Sequence, residues 1–439
     1  MNLEPGELTL AVGILFMVLL VIGLPVAFVA GGTAALLTLA MFGPELFGLL
    51  VLRTWDQMVS YAFVAAPMFV LMAALLERAG VADDLYRAIL LWMGRVPGGL
   101  AVATVIACMI IACMVGIIGA AIVMMGVVAL PQMLRRGYDQ DLATGTICAA
   151  GCLGILIPPS IMFIIYSMVA GVPVDDLFAG AVGPGLLLGL GYIGYIVILC
   201  TLRPEKGPPL PPEALAPMRE KLAALRSLIL PTALVGCVLG SIFAGAATPT
   251  EAAGVGAIGA VIAAALRGRL SLKMLDEAAR QTVVVSAMIM WILFGASAMT
   301  TVYTFGGGQR YMEGLVGGLD LSPLAMLIVL MVLLFVLGTL LDWLPILMLV
   351  GPVMLPLVKS AGIDPVLFGV LFAVNMQISF LTPPFGPAMY YLKGVAPPGI
   401  TMRDLNRSAW PFVAVQVVVL ALCIAFPGIV LWLPRVLGP

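Results

Sequence analysis

The chain has 439 residues, 63% of them hydrophobic and 10% charged, with a formal net charge of −1 and a mean hydropathy of +1.18. Soluble domains carry about 25% charged residues, so this composition excludes a soluble enzyme and reads as an all-α polytopic membrane protein. The balanced charge offers no basic field for nucleic acid, and the lack of histidine removes His-based zinc sites, Ser–His catalysis and His-ligated haem.

In chain order, Met1–Glu7 is acidic and lacks the basic start of a cleavable signal peptide, so the first helix is expected to stay. Leu8–Met41 is an apolar run interrupted at Gly23-Leu-Pro25, which predicts one spanning helix with a bent continuation. Arg53-Thr-Trp-Asp56 reads as an interfacial helix with tryptophan at headgroup level. Phe63–Leu76 contains Pro67, and Glu77–Arg95 reads as a tilted or amphipathic connector. Gly98–Leu134 is an apolar stretch of 37 residues. Two full crossings need roughly 40 residues plus a turn, so the glycines near its middle predict a re-entrant hairpin with its tip at Val115–Gly119. The seven cysteines, Cys108, Cys113, Cys148, Cys152, Cys200, Cys237 and Cys423, form no CxxC pair and read as small buried side chains.

Gly154-Ile-Leu-Ile-Pro-Pro-Ser160 comes next and returns as Ser379-Phe-Leu-Thr-Pro-Pro-Phe385. Proline inside a helix removes a hydrogen bond and restricts its predecessor, so two in succession break an apolar span. In lipid such a break survives only where the freed backbone is buried in protein or lines a cavity. Pro158 and Pro383 stand 225 residues apart, and the same offset pairs Gly126 with Gly351, Pro131 with Pro356, Gly137 with Gly362, Asp139 with Asp364, Tyr166 with Tyr391 and Pro173 with Pro398. Gly, Pro and Asp mark special backbone positions, so an internal repeat is the better reading. The counterpart of the first hairpin is Ser322–Val358, with its midpoint at Thr339–Trp343.

Basic clusters at Arg203–Arg226 and Arg267–Arg280 flank two apolar segments, Leu228–Ala247 and Ala252–Leu266, so both clusters can be cytoplasmic. Pro204–Pro217 is then a cytoplasmic linker between the halves. Arg135-Arg136 is basic while Ser360-Ala361, its counterpart, is not, which fits an inverted repeat. Glu251 within Thr248-Pro-Thr-Glu is either a functional carboxylate in an apolar segment or the first-turn acid of a capped helix, the second carrying more weight. Gly254-Val-Gly-Ala-Ile-Gly259 satisfies GxGxxG but follows no strand, and small residues at this spacing serve close helix packing.

A broken helix presents free N–H groups that suit an anion and free carbonyls that suit a cation. Gly154, Ile157 and Pro159 are placed to offer carbonyls at the first break, and Ser379, Thr382 and Pro384 at the second. Each hairpin tip would close a cage from the opposite side. Asp342 is either a site carboxylate or a helix cap, and Asn375 either faces substrate or joins two helices.

With Gly23-Leu-Pro25, Gly137-Tyr-Asp139, Gly154–Ser160, Thr248-Pro-Thr-Glu-Ala252 and Asn375–Gly386, the chain resembles nearly end to end the large membrane subunit of tripartite ATP-independent periplasmic (TRAP) transporters. The resemblance implies an inverted-repeat, elevator-type fold in the bacterial inner membrane, with two re-entrant hairpins and two Pro-Pro-broken helices. It implies Na⁺-driven uptake of organic acids, a small four-helix membrane partner and a periplasmic substrate-binding protein, with no cofactor besides Na⁺ as coupling ion. It maps a first Na⁺ site onto the first tip, Val115 and Gly116, with Gly154, Ile157 and Pro159, and a second onto Leu340, Ser379, Thr382 and Pro384, to which Asp342 is added as the ionisable residue nearest the second tip. Ile117, Ser160, Asn375, Phe385 and Gly386 are the expected substrate contacts. The expected division is residues 1–62 as N-terminal scaffold, 63–200 as first transport half, 201–227 as linker, 228–285 as second scaffold part, 286–400 as second transport half and 401–439 as a C-terminal helix. Many family members carry serines at the first tip. Here it reads Val115-Gly-Ile-Ile-Gly119, so backbone rather than side-chain ligands are expected. That tip and Tyr390-Tyr391-Leu-Lys393 resemble the subgroup associated with mannitol or chloroaromatic compounds, and a small monocarboxylate such as a 2-oxo or 2-hydroxy acid is the expected cargo. The alternative is a standalone Na⁺/carboxylate symporter without a binding protein. An intramembrane enzyme lacks a base or metal site, and a channel lacks a repeated filter motif.

Overall fold

The computed structural model describes residues 4–116, 118–209, 217–317 and 321–437, and those residues form helices and turns without a strand. The first half contains α1 (Pro5–Val21), α2 (Val26–Met41), α3 (Phe47–Met58), α4 (Ala65–Arg78), α5 (Val81–Met93), α6 (Gly99–Val115), α7 (Ile118–Arg135), α8 (Gln140–Cys152), α9 (Ile161–Ala170) and α10 (Val174–Leu202). The second contains α11 (Met218–Phe243), α12 (Pro249–Leu266), α13 (Leu272–Phe305), α14 (Gly308–Gly317), α15 (Pro323–Gly338), α16 (Trp343–Ser360), α17 (Pro365–Phe380), α18 (Pro387–Val395), α19 (Met402–Ala425) and α20 (Gly428–Leu437).

The repeat is wider than the window of matched residues around the prolines. Displaced by 225 residues, α7 coincides with α16 at both ends, α2 falls on α12 and α10 on α19. The paired special residues do matching work. Gly137 and Gly362 both turn with positive φ, +76° and +69°. Asp139 caps α8 by accepting from Leu142 N at 3.1 Å, and Asp364 caps α17 by accepting from Val366 N at 2.8 Å. Both Pro-Pro bonds are cis. The copies differ where α3 and α4 correspond to the single helix α13. Pro67 lies in the first turn of α4, where its missing N–H costs nothing. Its counterpart Ile292 has an N–H to donate and sits mid-helix.

Among the described residues α7, α10, α12, α13 and α19 are long and apolar enough to cross a bilayer. The two arms α6 and α7, and likewise α15 and α16, fold back on each other at Gly116 and at Thr339–Asp342, so each pair is a helical hairpin. Tracing the crossings leaves all but Arg53, Arg310, Lys359 and Arg435 of the 21 Lys and Arg residues at one end of the molecule. That end is cytoplasmic by the positive-inside rule. It is laced by Arg78–Glu277, Arg267–Asp84, Arg407–Asp141 and Lys206–Asp139. The first hairpin enters from this end and the second from the other, as an inverted repeat requires.

Several expectations need correction. Leu8–Met41 is two separate helices rather than one with a continuation. Gly23 turns at φ +91°, and α2 folds back so that Gly32 faces Leu19. The linker is shorter than 201–227, because α10 runs to Leu202 and α11 starts at Met218. Its first part is a strap: Lys206 and Gly207 carbonyls accept from Asp139 N and Gly98 N, each at 2.9 Å. The division at 285/286 falls inside the unbroken α13, and residues 401–439 hold two helices, parted at Phe426-Pro427. Cys237 is exposed rather than buried. Glu251 is an exposed cap: its carboxylate accepts from Thr248 N at 2.8 Å, and Thr248 Oγ1 accepts from Glu251 N at 3.3 Å. Of the GxGxxG glycines, Gly256 packs against Met72 and Gly259 against Leu234, while Gly254 has no neighbour at its Cβ position.

Candidate functional site: two helix breaks around one cavity

At the first break α8 ends in a tight turn over Leu153–Ile155. Leu156 N and Ile157 N both donate to Leu153 O, at 3.0 and 2.9 Å. That pattern leaves the Ile157 and Pro159 carbonyls without a donor among the described residues. The first hairpin tip lies directly against them. Gly116 turns at φ +62°, and a Cβ built there would stand 3.3 Å from Pro159 O and 3.7 Å from Ile161 N. Glycine is therefore needed twice over, for the left-handed turn and for the close approach.

The second break repeats the arrangement with a direct bond. Phe385 N donates to Thr339 O of the second tip at 3.1 Å. Gly338 sits against Ser379 so closely that an added Cβ would overlap the Ser379 hydroxyl. Thr382 Oγ1 donates to Ile378 O at 2.7 Å, which leaves its oxygen lone pairs facing outward from that bond. The Leu340 and Pro384 carbonyls have no donor among the described residues, whereas Ser379 O already accepts from Thr382 N at 3.1 Å.

Both junctions border one cavity of about 190 Å³. Gly116, Ile118 and Gly119 come from the first tip, Ile155 and Ile161 from the first break, and Asp342, Trp343 and Leu344 from the second tip. Phe385, Pro387 and Tyr391 come from the second break, and Val285, Met288 and Ile289 of α13 form the remaining wall. The helices α9 and α18 begin here without a side-chain cap, behind Ser160 and Gly386. Cross-packing holds the halves together: Gly119 and Gly126 of α7 abut Tyr391 and Val395 of α18, while Gly351 of α16 abuts Val169 of α9.

The expected site residues distribute unevenly. Gly116, Asp342 and Phe385 line the cavity. Asp342 is a helix cap, its side chain accepting from Trp343 N at 2.8 Å at the start of α16, and it borders the cavity at the same time. Asn375 lies elsewhere, fully buried and donating to Met331 O of α15 at 2.8 Å, a helix-to-helix tie. Ser160 turns inward to Ile155 O at 2.6 Å. Gly386 is the N-cap of α18, one residue from the lining on either side. Val115 is the last residue of α6, Gly154 lies within the buried turn, and Ile157 packs against Gly185. Ile117 falls outside the described residues. Tyr391, Trp343, Ile161 and the α13 residues were not anticipated. Tyr391 was marked by its place in the repeat, but nothing in the α13 sequence signals its three contributions.

A family model described as the tripartite ATP-independent periplasmic transporter, DctM component, matches residues 13–429. The chain belongs to that family. It is the large membrane subunit of a TRAP transporter, an inner-membrane permease and not an enzyme. It is 34% identical to a C4-dicarboxylate TRAP transporter large permease of Pseudomonas aeruginosa over 93% of this chain and 94% of that one. It is 28% identical to the 2,3-diketo-L-gulonate TRAP large permease of Escherichia coli over 93% and 95%. An isethionate TRAP permease of Oleidesulfovibrio alaskensis is 30% identical over 94% of this chain but only 64% of its own. Among solved structures, the YdaH transporter of Alcanivorax borkumensis shares the fold at TM-score 0.63 and 16% identity, covering 98% of this chain and 100% of that one. As a TRAP large permease, the chain is expected by its family to work with a small membrane subunit and a periplasmic binding protein.

Proposed function

We propose that this permease couples Na⁺ entry to uptake of a small organic acid delivered by a periplasmic binding protein. The observation that carries the reading is that two symmetry-related tip-and-break junctions, each with donor-free carbonyls, border a single cavity. Unwound carbonyls at a helix break suit a small cation, and uncapped half-helix N-termini suit an anion. Site one takes the backbone of Val115 and Gly116 with Gly154, Ile157 and Pro159. Site two takes Leu340, Asp342, Ser379, Thr382 and Pro384. The substrate lies between them, against Ile161, Phe385 and Tyr391.

Coupling follows from charge. An anion in the cavity is offset only when cations fill the flanking sites, so a carboxylate enters a low-dielectric site stably only with its ions. In the elevator step, α6–α10 and α15–α20 carry the two junctions and their cargo past α1–α5 and α11–α14, leaving the α13 wall behind. The relatives whose names give C4-dicarboxylates and 2,3-diketo-L-gulonate support an organic acid as cargo.

The test is uptake of a panel of organic acids into proteoliposomes containing the chain and its small membrane partner. Uptake that needs an inward Na⁺ gradient and the binding protein together is the expected outcome. Uptake indifferent to Na⁺ would refute the coupling, and Na⁺-driven uptake without the binding protein would refute the tripartite arrangement.

A further inference from the structure

Three aromatic residues, Trp343, Phe385 and Tyr391, line the cavity between the tips. The remaining wall is aliphatic side chain, glycine and proline, apart from Asp342. Among the described lining residues there is no Lys or Arg. Asp342 is solvent-accessible, takes part in no ion pair among the described residues, and accepts from Trp343 N alone.

We infer that this cavity selects a singly charged carboxylate with an apolar body, and that Asp342 is the residue that turns away a second carboxylate. The inference rests on the two-cation reading given above. Two cations and the Asp342 carboxylate leave one net positive charge, which a monocarboxylate cancels. A dicarboxylate leaves the loaded site negative, and an uncompensated charge that leaves water when the site is carried across is costly. Its second carboxylate also meets three rings where it needs a guanidinium or an ammonium. An apolar body gains contact with those same rings. The selectivity differs from the C4-dicarboxylates in the names of the Pseudomonas and Vibrio relatives. Whatever the binding protein delivers must still fit this cavity to be carried.

The experiment measures protection of the cavity wall from a small maleimide, in the complex with the membrane partner. Tyr391→Cys and, separately, Met288→Cys supply the reporter thiol, so that failure of one variant to fold leaves the other. Peptide mapping reads the chosen position alone, because native Cys237 is exposed. The probes are benzoate, 4-methyl-2-oxopentanoate and succinate, each in Na⁺ and in choline. The two monocarboxylates should slow labelling at least about fivefold in Na⁺ and leave it unchanged in choline, while succinate changes it less than about twofold. Asp342→Asn keeps the helix cap, since Asn caps as well as Asp, and keeps an oxygen for the second cation, so in Na⁺ high enough for the monocarboxylates still to protect the variant, succinate should protect as well. Equal protection by succinate with Asp342 in place, or no gain for succinate in an Asp342→Asn variant that the monocarboxylates still protect in Na⁺, would overturn the charge argument and leave the cavity as the substrate site. Absence of protection by every acid at both positions would overturn the cavity itself and the reading beneath it.

Discussion

The first cation site turns on one glycine, and replacing it by alanine has a calculable consequence. Gly116 has φ +62°, a conformation that costs a residue with a side chain about 1–2 kcal/mol. That term weighs on every state in which the tip keeps its turn. A second term weighs only on the state in which tip and break close together. The new methyl would stand 3.3 Å from Pro159 O and 3.7 Å from Ile161 N, tighter than ordinary contact to the carbonyl proposed to hold the cation. Overpacking of this kind costs about 1–3 kcal/mol, and at the lower end of that range, about 1–2 kcal/mol, it corresponds to a ~5–30-fold loss of affinity. Gly116→Ala should therefore raise the Na⁺ concentration for half-maximal uptake ~5–30-fold, measured in proteoliposomes at constant ionic strength with choline as replacement. Gly362→Ala is the control. It has φ +69° and open space where its Cβ would go, so it bears the backbone cost without the contact. Its Na⁺ dependence should match that of the unaltered chain while its melting temperature falls. Unaltered Na⁺ activation in Gly116→Ala, or the same shift in both variants, would refute the assignment of that tip to a cation site.

Two further outcomes follow from the second half of the molecule. Thr382→Ala should raise the Na⁺ requirement and make activation less steep by removing one hydroxyl ligand, and Thr382→Ser should restore both; an alanine variant with normal Na⁺ activation would remove Thr382 from the site. Glu251→Ala removes half of an exposed capping box, so it should lower thermal stability modestly and leave Na⁺-dependent uptake per folded molecule intact. Loss of Na⁺ coupling without loss of stability would instead return Glu251 to the list of transport carboxylates.

Much of the fold was legible because membrane proteins write backbone exceptions in a few residue types. A proline pair must break a helix, and a glycine between two apolar half-lengths permits a hairpin. An Asp after Gly-Tyr or Gly-Ile caps the next helix, as Asp139 and Asp364 do. These are local constraints, so the chain read alone carries them. Less of the site was legible. The sequence leaves two roles open for each of Asn375 and Asp342, and only their neighbours in the fold bear on the choice. Asn375 found the Met331 carbonyl of another helix. Asp342 caps its own helix, and because that helix starts where the cavity begins it also borders the cavity.

The sequence by itself determined the all-helical membrane class, the inverted repeat, the two tips and the two breaks, since each depends on hydropathy or on backbone limits within one short segment. Only the tertiary structure decided that each tip meets its own break, that both junctions share one cavity, and that α13 and Tyr391 complete its wall. Those facts depend on which helices pack together, from a few tens of residues apart for each tip and its break to more than 200 apart for the two junctions, and in a chain so uniformly apolar, one leucine-rich face looks to the sequence much like any other.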